Sequence, residues 1–202
     1  MVTPLRAYLA FLALLAGERL LELARSSRHA RALLARGGVE VGRGHYLPMV
    51  LLHAAFFAAC AAEALARRAP PSAWALLALA GALLAQALRF WAIATLGERW
   101  VTRVIVLPGA APVTGGPYRW VKHPNYLAVA LELLCVPLAY GGWRTALVFS
   151  IANAALLTVR IRAEERALGD GWATAFQGRA RFVPSSAGRR AGACPPPPRG
   201  CT

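Results

Sequence analysis

Acidic residues are scarce in this chain, nine Asp and Glu among 202 residues, and lysine is almost absent: 22 of the 23 basic residues are arginine. A soluble, highly basic protein would suggest nucleic acid, but 57% of the residues are hydrophobic and only 16% charged. That balance excludes nucleic-acid binding as the first reading and fits a polytopic membrane protein with arginine-rich loops. There are four cysteines and no CxxC or Cys/His spacing, so neither a disulfide framework nor a metal site is expected. Cys201 is penultimate, and a prenylation signal would need the cysteine four from the end.

What is present is a series of apolar runs. Leu5 to Ala24 is a candidate first span, because about 20 residues cross the hydrocarbon core. Glu18, Arg19 and Glu22 interrupt it, and no small-residue cleavage site follows, so a retained helix is favoured over a signal peptide. Its charges are expected to face neighbouring helices or the interface. Arg25 to His45 reads as a polar connection, Tyr46 to Ala66 as a second span, and Arg67 to Ser72 as a turn. Ala73 to Leu96 is a third span carrying Gln86 and Arg89. Residues 97–125 break the pattern, with Val101 to Leu107 as a short extended piece. Leu127 to Tyr140 and Trp143 to Val159 read as a helical hairpin joined at Gly141-Gly142. After Arg160 the chain is amphipathic, and from Ser185 a Gly/Arg/Pro tail lacks anything to pack and is expected to be disordered.

About five transmembrane helices, all-α, are therefore expected. Placing the N-terminus outside puts seventeen basic residues in the three inner segments and four in the outer ones, as the positive-inside rule requires. The C-terminal segment is then expected in the cytoplasm, at the inner (cytoplasmic) membrane. Residues 1–84 form N-terminal membrane helices, 85–184 a core, and 185–202 the tail.

One loop stands apart. Gly115 to Tyr126 reads Gly-Gly-Pro-Tyr-Arg-Trp-Val-Lys-His-Pro-Asn-Tyr, mixing glycine, aromatic, cationic and imidazole groups. Proline disfavours helix before it and suits the first helical position, so Pro124 should open the fourth helix with His123 at its mouth. Helix mouths favour carboxylates, and Gly115 and Gly116 allow backbone to approach a ligand. The alternative is an ordinary interfacial loop whose aromatics anchor it while Arg119 and Lys122 bind lipid phosphates. Trp74, Trp91, Trp100, Trp120 and Trp143 fit an aromatic belt. Glu164 and Glu165 follow the fifth span, either as ligand-binding carboxylates or as a salt-bridge stripe with Arg160 and Arg162. Glu132 lies about two turns into the fourth helix, where a carboxylate needs a partner or a cavity, and Arg89 is one candidate partner. Glu63 and His53 read as packing residues.

Gly116-Pro-Tyr-Arg-Trp-Val-Lys-His-Pro-Asn-Tyr126, the apolar hairpin, Glu164-Glu165-x-x-Leu168 and Phe182-Val-Pro184 together resemble the isoprenylcysteine carboxyl methyltransferase family. The resemblance covers roughly residues 85–184. Lys122 departs from the family's more common Arg before His, keeping the charge and losing the fork. Arg99 to Gly109, His-Pro-Asn-Tyr-Leu and Glu132 look most like a bacterial branch that O-methylates long-chain alkylpyrones made by type III polyketide synthases. The resemblance implies an S-adenosylmethionine-dependent membrane O-methyltransferase with a cytoplasmic cofactor pocket and a lipophilic acceptor arriving through the membrane lipids. It implies that Gly116, Pro117, Tyr118, His123, Pro124, Tyr126, Glu164 and Glu165 hold the cofactor. Arg160 or Arg162 would orient the acceptor anion, with Arg89 and Glu132 on the acceptor side. The alternatives are a carboxyl methyltransferase of the isoprenylcysteine type and an NADPH-dependent reductase of the steroid 5α-reductase type. The reductase pattern often carries a Glu soon after the Tyr, where this chain has Val129. A non-catalytic membrane partner that keeps the scaffold is a third reading.

Overall fold

The computed structural model describes residues 2–67 and 73–182. Most of the turn at Arg67 to Ser72, the last two residues of the Phe182-Val-Pro184 motif, and the tail from Ser185 lie outside the described residues.

Five helices make up the described fold: α1 (Val2–Ala35), α2 (Tyr46–Ala66), α3 (Trp74–Leu96), α4 (Pro124–Leu138) and α5 (Trp143–Ala175). Three of the helical stretches, Arg43–Ala66, Trp74–Arg99 and Trp143–Ala175, are long and apolar enough to cross a membrane. Leu76, Leu77, Leu84, Val148 and Ile151 are exposed on them, the surface that hydrocarbon would solvate. The 15-residue α4 is about 22 Å long, shorter than a hydrocarbon core of about 30 Å. α1 is long enough, but charges interrupt its apolar run.

The polar connection expected from Arg25 is instead helical to Ala35. Buried Tyr8, Leu12, Leu15, Glu22, Ser26, Ala30 and Leu33 form one stripe at helical spacing, and Arg25, Arg28 and Arg31 lie on the exposed face. Arginine is a good helix former, so its density alone does not mark a loop. The helix ends where Gly37 takes a left-handed conformation (φ 84°) and the Gly38 N–H donates to the Leu33 carbonyl at 2.9 Å.

Among the described residues, one two-stranded pairing departs from an all-α fold. Val39–Val41 (β1) pairs antiparallel with Val104–Val106 (β2), Glu40 opposite Ile105. This places the expected extended piece and ties the linker after α1 to the loop after α3. At the far end of the bundle, α1, α2 and α4 meet around Leu12, Phe56, Leu133 and Val136. Tyr8 stacks on Tyr140 at 5.0 Å and its hydroxyl donates to the Val136 carbonyl at 3.1 Å. Glu63 of α2 accepts the Thr145 N–H at 2.9 Å and the Arg144 N–H at 3.3 Å, capping the start of α5.

The charges of α1 do face neighbouring helices. Arg19 donates to Glu132 of α4 at 3.1 Å and to Gln86 of α3 at 2.7 Å, and also pairs with Glu22. Arg89 grips Glu22 through Nε at 3.0 Å and Nη2 at 2.6 Å. The partner of Glu132 is therefore Arg19, and Arg89 is taken by Glu22. Long-range packing of α1 decided this, and no local spacing encodes it.

Candidate functional site

Pro124 is the first residue of α4 and His123 its N-cap, as proline's fixed geometry requires. A short 3₁₀ turn, Gly116–Arg119, precedes them. Gly116 has φ 53°, and a Cβ there would sit 2.2 Å from the Thr95 Oγ1 of α3. The glycine thus permits close approach to a helix rather than to a cavity. Pro117 and Pro124 are fully buried. The chain after α5 returns to this mouth: the Lys122 N–H donates to the Ala180 carbonyl at 3.0 Å and the His123 N–H to the Arg181 carbonyl at 3.2 Å. Arg179 donates to the Tyr118 carbonyl at 2.8 Å.

The adjacent carboxylates of α5 diverge, as consecutive helical residues must. Glu165 accepts from Arg181 through two parallel bonds of 3.0 and 2.6 Å and lies 3.1 Å from the His123 Nε2. This pairing raises the Arg181 pKa. Glu164 accepts the Tyr126 hydroxyl, and the Arg160 Nε donates to that same hydroxyl oxygen at 2.7 Å. The Arg160 Nη2 donates to the Thr102 carbonyl at 2.7 Å. Among the described residues, Arg160 with Glu164 and Arg162 with Glu165 do not form the intrahelical pairs that their spacing allows. Aromatic rings back the cluster: His123 stacks on Tyr126 at 5.3 Å and tilts toward Trp172 at 5.6 Å, and Trp172 stacks on Phe176 at 4.8 Å. Burial, with Glu164 nearby, pushes the Tyr118 hydroxyl far above its ordinary pKa, so it stays protonated.

These groups open onto a cavity of about 1470 Å³. Tyr118, His123, Tyr126, Arg160 and Glu164 line it. Arg19, Glu22, Arg89, His53 and Phe57 line it from α1, α2 and α3, and Val129 and Leu157 also face it. Of the residues singled out from sequence, Gly116, Pro117, Pro124, Glu132, Arg162 and Glu165 do not line it. Arg162 is exposed, and Glu165 holds the mouth from behind through His123 and Arg181. Trp100 was read as an interfacial anchor but is 3% exposed and lines the cavity, whereas Trp74 and Trp143 are more than half exposed. Sequence reasoning also missed Thr102, Arg19 and Trp172 as wall residues. Only the i, i+4 apolar spacing of Leu168, Trp172 and Phe176 could have signalled one of them.

Apolar helices around a cavity lined by charged and aromatic side chains define a membrane protein with a candidate ligand site. The family model for the isoprenylcysteine carboxyl methyltransferase (ICMT) family matches residues 76–170. The uncharacterized protein YpbQ of Bacillus subtilis is 42% identical over 157 residues, 78% of this chain and 94% of that protein. An uncharacterized protein of Haemophilus influenzae is 31% identical over 151 residues, 74% of this chain and 88% of that one. No solved structure matches the chain significantly. The chain belongs to the isoprenylcysteine carboxyl methyltransferase family, a family of membrane methyltransferases.

Proposed function

We propose that this chain is an integral-membrane, S-adenosylmethionine-dependent O-methyltransferase acting on a lipophilic acceptor with an acidic oxygen, a long-chain alkylpyrone hydroxyl being the best candidate. The observation that carries the reading is Arg160. Arg160 lines the cavity; its Nε and Nη2 are engaged, while its Nη1 is buried with no partner among the described residues. A buried cationic donor left open is costly unless an anion completes it. Arg160 rather than Arg162 is therefore the group that orients the acceptor.

The cavity fits a cofactor together with an acceptor. At about 1470 Å³ it exceeds the roughly 300–1,000 Å³ of a typical small-ligand pocket. Glu164 offers a carboxylate to hydroxyl or ammonium groups, and the Tyr118 ring, also on the cavity wall, suits a sulfonium or a purine. His123 and Glu165 hold this wall in shape. When bound, adenosylmethionine supplies an electrophilic methyl group to an acceptor oxygen by direct displacement. The chain's own contribution is alignment and exclusion of water. Arg160 keeps the acceptor oxygen ionised and aimed, so no strong general base is needed. Arg89 and Glu22, also on the cavity wall, are assigned to the acceptor side, and Glu132 acts there through Arg19. A type III polyketide synthase in the same pathway would supply such a pyrone.

The five helices and the clustering of residues 97–123 with the segment after Arg160 support an N-out, C-in arrangement in the cytoplasmic membrane, with the mouth of the cavity toward the cytoplasm. Val129, where a reductase of the steroid type often has a carboxylate, lines the cavity and offers no charge to a nicotinamide cofactor. Equilibrium binding to the detergent-purified chain tests the reading. Adenosylmethionine should bind, weakened by His123→Ala and Glu164→Ala, and NADPH should not. NADPH binding without adenosylmethionine binding would replace the methyltransferase reading with a reductase. Comparing transfer to a hydroxypyrone with transfer to a prenylated cysteine distinguishes the acceptor classes.

A further inference from the structure

Arg160 does not hold its orientation alone. Its Nη2 bond ends on the carbonyl of Thr102, a residue in the loop between α3 and α4. That loop is fixed by α1. The Ser26 Oγ accepts the Thr102 N–H at 2.7 Å and lies 2.8 Å from the Thr102 Oγ1, and Ser26 is only 2% exposed. One turn later on the same helix face, the His29 Nδ1 lies 2.9 Å from the Trp100 carbonyl. Two side chains of α1 thus pin Trp100 and Thr102, both cavity-wall residues.

We propose that Ser26 is a positioning residue for Arg160, acting through Thr102 to aim the unpartnered nitrogen at the acceptor oxygen. This rests on the reading of Arg160 as the acceptor-orienting group. The physical reason is the planarity of guanidinium. With Nε fixed by Tyr126 and Nη2 by Thr102, the direction of Nη1 is determined, whereas one anchor would leave it free to swing. Ser26 lies outside the stretch 76–170 that matches the family, so the reaction geometry depends on a helix that the family match does not include.

The test uses the full chain in detergent and two synthetic probes: a 4-hydroxy-2-pyrone with a pentadecyl chain, whose enol ionises, and its methyl ether, which cannot. Ser26→Ala should weaken binding of the hydroxypyrone about five- to ten-fold. It should leave the methyl ether and adenosylmethionine within about two-fold of the parent, and Ser26→Thr, which keeps the hydroxyl, should restore most of the loss. Thr102→Val removes only the hydroxyl partner and should give a smaller loss confined to the hydroxypyrone. Arg160→Gln should lower hydroxypyrone binding at least as far as Ser26→Ala. Parent-like hydroxypyrone binding in Ser26→Ala, with a loss in Arg160→Gln, overturns the positioning role alone. Equal weakening of both probes by Ser26→Ala or Thr102→Val overturns it as well, since that is mere loosening of the wall. No change in Arg160→Gln overturns both this inference and the reading of Arg160 on which it rests.

Discussion

Replacing Arg89 with methionine should destabilise the helical bundle by about 3 kcal/mol, the lower end of what breaking a buried ion pair costs. The structure sets that figure. The Arg89 and Glu22 side chains are 8% and 10% exposed, and two bonds of 3.0 and 2.6 Å join them. Removing the guanidinium strands the Glu22 carboxylate in low dielectric, but Arg19 still pairs with it, which keeps the loss from the upper end. If the penalty comes from the stranded charge, neutralising that charge should recover most of it. Glu22→Gln combined with Arg89→Met should therefore fall within about 1 kcal/mol of the parent. The assay is a titration of the chain from mild detergent into dodecyl sulfate, with helical circular dichroism as the signal. The reasoning is refuted if Arg89→Met unfolds within about 0.5 kcal/mol of the parent, or if the double variant is no more stable than the single one.

Three other outcomes follow from the same geometry. Gly116→Ala should cost roughly 1–3 kcal/mol and weaken adenosylmethionine binding, because its Cβ would collide with the Thr95 Oγ1 at 2.2 Å; adding Thr95→Ala should relieve the clash but not the strain of a left-handed alanine, as unfolding curves of the two variants will report. Glu63→Ala should lose about 1–2 kcal/mol in the same dodecyl sulfate titration, since the carboxylate caps the first N–H groups of α5. Glu165→Gln should free Arg181 and speed hydrogen exchange at the Lys122 and His123 amides about ten-fold, because the segment that accepts their bonds is held by that fork; unchanged exchange would show that the backbone pairing holds without the fork.

Much of the frame was legible along the chain. Pro124 announced the start of α4 and Gly141-Gly142 its hairpin with α5, and three of the residues singled out along the chain, His123, Tyr126 and Glu164, line one cavity. Local chemistry sufficed there, because proline and glycine restrict or free the backbone wherever they occur. Arg25 to Ala35 was misread because charge density was given more weight than the periodic Ser26, Ala30 and Leu33. The role of Gly116 was misjudged for a different reason. A glycine's φ is a local matter, but which surface it approaches depends on α3 lying behind it.

The sequence by itself determined that the protein is helical and apolar and to which family it belongs, and it singled out residues 115–126 and the paired glutamates as candidate site residues. These follow from composition, periodicity and motif, which need no knowledge of distant contacts. Only the tertiary structure decided which of two arginines faces the cavity, which glutamate faces it, and that Arg19 rather than Arg89 meets Glu132. Adjacent residues on a helix point about 100° apart, so the choice between neighbours is made by the helix axis and its partners. The same holds for Ser26, an ordinary serine in an arginine-rich stretch until α1 packs against the loop at Thr102.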